Sequence, residues 1–395
     1  MKLKVKSILT VLMYLYFVSV SVFNFSVIYL SSAIIFCIVA LGINIYLKKI
    51  KWSYFFSFQL IFCLYEIIMI YLGKSVSSSL SKSATMTVLF NMIISLAMFS
   101  VFESKSDVKE FFKKVSILSV AILIFIIVYT GGKGQDGRLA HNVARPFSDT
   151  GFTAIEVGMI AVWGSLSALY MYYKTGQKKY MVFQALYWIV IIWSGSRDCF
   201  SFGLLAVLIM YFINGKKDNI VSKIKKMLII SIIAIIAIIA IMKIQKLYDI
   251  IGYRFIGYFN GTETSANSRE VMHKSAVNLI KSNWIYGYGL DTFRTFNGSF
   301  GTWSHNNYLE LLLSGGIILL VIYYLPIVIT IIKLVKIKSV NWREEKCIGI
   351  SLIVLKILHD IVGVTYMSRM SNIFLLLTII IVEIYKKENL KNERN

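Results

Sequence analysis

The chain has 395 residues, 57% of them hydrophobic, with only 2 prolines and a formal net charge of +22 at pH 7. Soluble chains sit near about 45–50% apolar, and the excess here is gathered in blocks of roughly 17–24 apolar residues, the length that crosses a hydrocarbon core. That excludes a soluble domain, and it excludes nucleic acid as the reason for the charge, because the basic residues fall in short clusters between apolar blocks, where membrane orientation requires them.

Twelve spans are predicted, at 7–23, 26–47, 53–72, 84–102, 115–130, 152–173, 180–196, 199–214, 227–245, 307–332, 347–365 and 371–385. The opening "MKLKVKSILTVLMYLYFVSV" has a basic head and an apolar body, but no small-x-small cleavage site follows, so it reads as a retained first span. The run "MLIISIIAIIAIIAIM" is a very apolar ninth span whose Ala234, Ala237 and Ala240 offer a small-residue packing face. The N-terminus, 48–51, 103–114, 174–179, 216–226, 333–346 and the C-terminus together hold 27 of the 42 basic residues. The short connectors of the other set hold none at 24–25, two at 73–83, one at 194–198 and one at 366–370. The richer set is expected to be cytoplasmic, with both termini inside. The fold class expected is therefore an all-α polytopic membrane protein of about twelve transmembrane helices. Spans one to nine lie in 1–245, a long, partly helical extracytoplasmic loop fills 246–306, and the last three spans and a cytoplasmic tail fill 307–395. Within the loop, "SANSREVMHKSAVNLIKSNW" reads as an amphipathic helix with Ser268 as N-cap and Val271, Ala276, Val277 and Ile280 on one face.

Polar groups at the outer boundary carry the chemistry. "WSGSRDCFSFG" (193–203) is a short turn between the seventh and eighth spans, with Arg197 and Asp198 at the membrane edge. As a plain capped helix it has Ser194 or Ser196 at the cap and Asp198 favouring the dipole. Arg197 opposes that dipole, and an anion bound with help from the N-terminal N–H groups accounts for it. The long loop carries Arg254, Arg269 and Arg294, with Lys246, Lys274 and Lys281. The lysines suit a solvated or headgroup-facing surface, whereas a guanidinium fork suits bidentate phosphate recognition. In "TWSHNNYLELLLSGG" (302–316), Asn307 and Glu310 form a capping pair, which leaves His305, beside Asn306, without a structural account. His141 and His273 are expected to be solvated. "LKILHDIVG" (355–363) puts Lys356 and Asp360 at i and i+4 inside a span, with His359 beside them. They form either a satisfied ion pair or part of a substrate groove. Glu66 and Glu156 also fall in spans, with no partner that sequence can name.

Other chemistries lack their motifs. The chain has no Walker loop, no H-E-x-x-H and no C-x-x-C, and no outer acidic cluster for a divalent metal. Cys37, Cys63, Cys199 and Cys347 have neither metal-ligand nor disulfide-framework spacing.

Taken in order, these motifs resemble the O-antigen ligase/polymerase superfamily of polysaccharide assembly: lipopolysaccharide O-antigen ligases and Wzy-type O-antigen or capsular polysaccharide polymerases. The likeness is strongest over 193–325. It runs through Ser194-Gly195-Ser196-Arg197, then "SREVMHKSAVNLIKSNWIYGYGLDTF" with its arginine helix and GxG, then His305-Asn306-Asn307-Tyr308-Leu309-Glu310, then Gly315-Gly316. "RPFSDTGFTAIEVG" at 145–158 matches more loosely. The resemblance implies transfer of a glycan from an undecaprenyl-pyrophosphate donor to a sugar hydroxyl at the outer face of a bacterial inner (cytoplasmic) membrane. No metal, nucleotide or other cofactor is implied. Arg197 and Arg269 would hold the pyrophosphate, His305 would serve the acceptor as base, and Arg145 would assist. The residue reading adds Arg254, Arg294, Asn306, Lys356 and Asp360 as substrate-facing positions. The expected partners are the undecaprenyl-pyrophosphate-linked oligosaccharide and membrane lipid, with a chain-length regulator and a flippase as protein partners, and no nucleic acid.

A repeat-unit polymerase is the first reading, mildly favoured by a Lys/Ile/Asn/Ser-rich, Pro-poor composition of the kind AT-rich polysaccharide loci encode. A ligase delivering finished glycan to lipid A-core is the second. A polysaccharide or small-molecule transporter is the third, and the arginine-bearing outer loop argues against it, as does the lack of matched, interrupted half-repeats.

Overall fold

Hydroxyl side chains start many of the helices. Ser26, Ser53, Thr153 and Ser368 each accept a hydrogen bond from a first-turn N–H, and Ser104 with Asp107 closes a capping box. The computed structural model describes residues 2–24, 26–47, 51–148, 150–214 and 264–393, with scattered positions between 221 and 260. The helices are α1 (Lys2–Val22), α2 (Val27–Tyr46), α3 (Tyr54–Tyr71), α4 (Ser78–Val101), α5 (Lys105–Thr130), α6 (Ala154–Thr175), α7 (Lys179–Ser194), α8 (Arg197–Asn214), α9 (Thr264–Ser282), α10 (Asn307–Val335), α11 (Arg343–Val362) and α12 (Arg369–Asn392). Among the described residues there is no β-strand. Among the described residues eight helices, α1 to α6 with α8 and α10, are long and apolar enough to cross a membrane. The protein is an all-α, multi-pass membrane protein. Most of the predicted ninth span at 227–245, Ala234, Ala237 and Ala240 included, lies outside the described residues.

Several helices start earlier than predicted, the fifth and the fourth by the most. The fifth helix begins at Lys105 rather than 115, because the Ser104–Asp107 box sets its first turn ahead of the apolar stretch. The fourth begins at Ser78 rather than 84. In both cases the helix outruns its hydrophobic segment, since backbone hydrogen bonding does not stop where the apolar residues do.

Helix α6 is the centre of the bundle, buried along almost its whole length. Small residues let its neighbours close in. A Cβ at Gly158 would stand 2.8 Å from Cys199 Sγ on α8, and one at Gly203 of α8 would stand 2.9 Å from Val162. Association of helices in lipid depends on such close packing. All four cysteines are buried and free.

The connectors touch one another in two separate sets. In one, Lys6 pairs with Asp107 at 2.7 Å, Lys51 donates to the Phe102 carbonyl at 2.8 Å, and Lys174 pairs with Glu345 at 2.9 Å. In the other, Leu139 N donates to Trp193 O, Val76 N to Tyr288 O, and Thr365 N to Asn307 Oδ1. The second set carries 131–151, the Arg197 turn, the loop after α9 and His305.

The loop before α10 is built into that helix. At Gly315 (φ −133°, ψ 18°) and Gly316 (φ 65°, ψ −162°) the helix breaks. The carbonyls freed there, of Leu313 and Ser314, accept from Tyr288 N and Gly289 N at 2.7 Å each, and Ile317 N donates to Trp284 O at 2.9 Å. Tyr65 donates to Gly315 O at 2.9 Å. The "GYG" and "GG" motifs are thus two halves of one clasp, satisfying backbone groups that membrane depth leaves no water to satisfy. A Cβ at Gly316 would land on the Ile285 carbonyl, at a left-handed φ that costs a non-glycine residue about 1–2 kcal/mol by itself. Gly316→Ala is therefore expected to lower the melting temperature in detergent and the membrane level together. Gly42→Ala, whose Cβ would meet open space, is expected to leave both unchanged.

Candidate functional site

His305 stands at the entry to α10 with φ 54°, a left-handed conformation that only a restrained segment keeps in a non-glycine residue. The restraints are visible on both sides. Asn306 is the N-cap: its Oδ1 accepts from Tyr308 N and Leu309 N at 3.0 Å each. Glu310, fully buried, accepts from Ser304 N at 2.9 Å. This corrects the expected pair. The cap is Asn306, one residue earlier, so Asn306 is committed to starting the helix, while Glu310 reaches back past the cap to hold Ser304. Asn307 instead turns inward, accepting from Thr365 N and Tyr366 N at 2.8 and 3.0 Å.

Beneath His305 lies α9, which buries Met272 and Ala276 against Phe293 and Leu313. Burying a side chain of the size of Met272 contributes about 1.5–3 kcal/mol. The buried face is Met272, Ala276, Leu279 and Ile280; Val271 and Val277, expected on it, point outward, and Ser268 is inside a helix that starts at Thr264. Ala276 and Ile280 belong to both readings, and a rotation of one residue step, ~100°, exchanges Val271 for Met272 as the anchor. The rotation matters for the polar residues. It sets Arg269 and His273, four apart on one face, within electrostatic range of His305.

Burial, then the Arg269 charge and the His273 imidazole, push the His305 imidazole down to about 4. His273, expected to be solvated, is half-buried, bonded to the Ser304 backbone, and likewise lowered by burial. The signal for it was in the sequence, in the i, i+4 spacing from Arg269. His141, also expected to be solvated, is half-buried too.

Arg294 is held by Asp291 at 2.6 Å, and the other Asp291 oxygen accepts from Trp303 Nε1 at 2.6 Å. Arg294 therefore acts through Asp291 to fix an indole two residues before His305. Neither Asp291 nor Trp303 was singled out by sequence. Lys274, on the outer side of α9, pairs with Glu270 at 2.7 Å. Arg254 and Lys246 lie outside the described residues.

The Arg197 turn is tight for identifiable reasons. Gly195 ends α7 in the left-handed region, and Ser196 caps α8, its Oγ accepting from Cys199 N at 3.4 Å. Arg138 packs over it so closely that a Cβ at Gly195 would lie 2.6 Å from Arg138 Cγ. Arg138, which sequence passed over, pairs with Asp136 at 2.7 Å and is buried beside the N-terminus that Arg197 begins.

Arg145 is buried and bound to Glu156, stacks on Phe152 with the guanidinium 4.8 Å from the ring centre, and donates to Gly151 O at 3.2 Å. Glu156 thereby gains the partner that sequence could not name. Its other oxygen accepts from Asn24, which in turn accepts from Arg369. Glu66 likewise accepts from Leu290 N at 3.3 Å.

Lys356 and Asp360 are enclosed. Lys356 Nζ lies 2.6 and 2.7 Å from the two Asp360 oxygens and 2.7 Å from Thr365 Oγ1. Tyr324 donates to Asp360 at 2.9 Å and accepts from Asn307 at 3.0 Å. Of the two readings the sequence left open, the geometry is that of a satisfied ion pair, and its network ends on Asn307, two residues from His305.

The structure thus brings Arg269, His273 and His305 within electrostatic range of one another. It places Arg197, Arg138 and Arg145 in connectors of the same set. Residues 182–324 match a family model described as O-antigen ligase. A comparison with curated proteins finds no match.

Proposed function

From a chain whose residues 182–324 support the O-antigen ligase/polymerase superfamily, we propose a repeat-unit polymerase of a surface polysaccharide. It transfers glycan from an undecaprenyl-pyrophosphate donor to a sugar hydroxyl at the outer face of the cytoplasmic membrane, with both termini inside and without a metal. The observation that carries this reading is the Arg269–His273–His305 cluster at the mouth of a membrane helix. The bond broken joins a sugar carbon to a phosphate oxygen, so negative charge grows on the leaving pyrophosphate. Arg269 and Arg197 act on that charge, and preorganised cations are worth most in a partly dry site. The acceptor hydroxyl loses its proton as it attacks, and His305 takes it. With its pKa held down to about 4, His305 is neutral near neutral pH, hence ready to accept. An incoming pyrophosphate offsets Arg269 and raises the His305 pKa, strengthening the base when the donor is present. Asn306, Glu310 and the Lys356–Asp360 network fix where His305 stands, and Arg294 with Asp291 fixes Trp303. Arg145 acts through Glu156.

A ligase delivering polymer to lipid A-core would use the same donor chemistry. Deleting the gene separates the two. The polymerase reading expects a single repeat unit on the lipid acceptor; lipid-linked polymer beside an uncapped core would replace it with the ligase reading. Unchanged polysaccharide would reject both.

A further inference from the structure

A cavity of about 350 Å³ opens between α1, α4, α6, α11 and α12. Its size falls in the roughly 300–1,000 Å³ range of small-molecule sites. Much of its wall is apolar, supplied by residues such as Met159 and Val364, but polar groups converge on it, among them Asn24, Glu156, His359 and Arg369. The indole of Trp303 forms part of the wall. Three features stand out. Trp303 is partly exposed yet immobilised, because its N–H is taken by Asp291. His359 Nδ1 is buried with no hydrogen-bond partner among the described residues. Glu156, Asn24 and Arg369 are already linked to one another, so they present a fixed array rather than loose charges.

We propose that this cavity is a saccharide subsite, holding a sugar ring of the glycan next to the position that reacts at His305. A pyranose has apolar C–H faces and a rim of hydroxyls. A fixed indole suits the face, and a carboxylate, an amide, a guanidinium and an unsatisfied imidazole nitrogen suit the rim. A polyprenyl tail fits less well. It offers Glu156, Arg369 and His359 nothing, and packing hydrocarbon against polar groups in place of a hydrogen-bonding partner is costly. Only Ser304 separates Trp303 from His305, so a sugar on the indole lies beside the reacting group. The inference rests on the glycan-transfer reading and deepens it from a reaction to a recognised ring.

The test is binding, which does not require turnover. The probe is the oligosaccharide released by mild acid from the host strain's own surface polysaccharide, titrated against purified full-length protein and followed by saturation-transfer NMR. Wild type is expected to bind. Met159→Trp, which fills the cavity, and Trp303→Leu, which removes the face, are each expected to weaken binding by about tenfold or more. Gly42→Ala, whose Cβ meets open space far from the cavity lining, is expected to bind within about twofold of wild type. If Met159→Trp fails to accumulate, Val364→Phe fills the same space and decides. Absence of wild-type binding, or filled variants that bind as wild type does, would overturn the subsite. So would filled variants that lose undecaprenyl phosphate instead of the oligosaccharide, since the cavity would then be a tail groove. Failure of the glycan-transfer reading has a different signature: His305→Ala would still extend chains, whatever the binding result.

Discussion

His305→Ala, produced in a deletion strain, is expected to slow chain extension by about 10²–10⁴-fold, the usual worth of a general base, with normal protein level and melting temperature. The residue is half-buried and its backbone is held by Asn306 and Glu310 rather than by its own ring, so its loss removes chemistry and spares the fold. Arg269→Ala is expected to be comparably severe but to act by another route. It removes charge from the leaving group and also lifts one cause of the low His305 pKa. Arg269→Lys should recover little, because an ammonium lacks the planar fork. The pH dependence gives a second readout. A His305 pKa near 4 in the free protein places the acid limb of kcat/KM near that value, and the limb of kcat, which reports the donor complex, should lie higher. The linkage to stability has a definite sign. The folded pKa is below the ordinary value of 6.5, so between 6.5 and 4 the unfolded chain binds the proton and the folded protein does not. The stabilisation is fully present above 6.5 and is lost as pH falls towards 4. An acid limb of kcat/KM at 6.5 would contradict this environment for His305.

The second large effect is expected at Lys356. Removing one member of a buried pair leaves an uncompensated charge, at a cost of about 3–5 kcal/mol. Lys356→Met should therefore lower the melting temperature and the membrane level sharply. Lys356→Met with Asp360→Leu removes both charges, and exchanging a buried pair for apolar residues is often neutral or better, so the double variant should recover most of the stability. If the pair is scaffold, activity per folded molecule in the double variant stays within an order of magnitude of wild type. If the pair binds substrate, stability returns and activity does not.

The two glycine motifs show where sequence reading stops. "GYG" and "GG" were visible as signatures, but nothing in either string says that one closes on the other; that requires the α10 break and the carbonyls it frees. Eight of the twelve predicted spans were legible among the described residues because apolar length is a one-dimensional property, and the arginines and histidines drew attention as candidates because charge at a membrane edge is unusual. The partners of Glu66 and Glu156 were not, since Leu290 and Arg145 come from distant segments. The face of α9 was misjudged because Val271 and Met272 are both apolar and adjacent, and only packing against Phe293 and Leu313 chooses between them. Asn306 and Asn307 present the same ambiguity. Either can cap, and the Thr365 and Tyr366 amides claim Asn307.

We propose that this chain joins sugar units on a pyrophosphate-linked lipid using His305 and Arg269. The most direct measurement reconstitutes the purified protein in liposomes with undecaprenyl-pyrophosphate-linked repeat units from a strain deleted for this gene, and follows glycan length by mass spectrometry. Wild type is predicted to give lipid-linked products of two or more repeats and to release undecaprenyl pyrophosphate, while His305→Ala and Arg269→Ala give neither. Products of equal length from wild type and His305→Ala, or no extension by wild type at all, would contradict it.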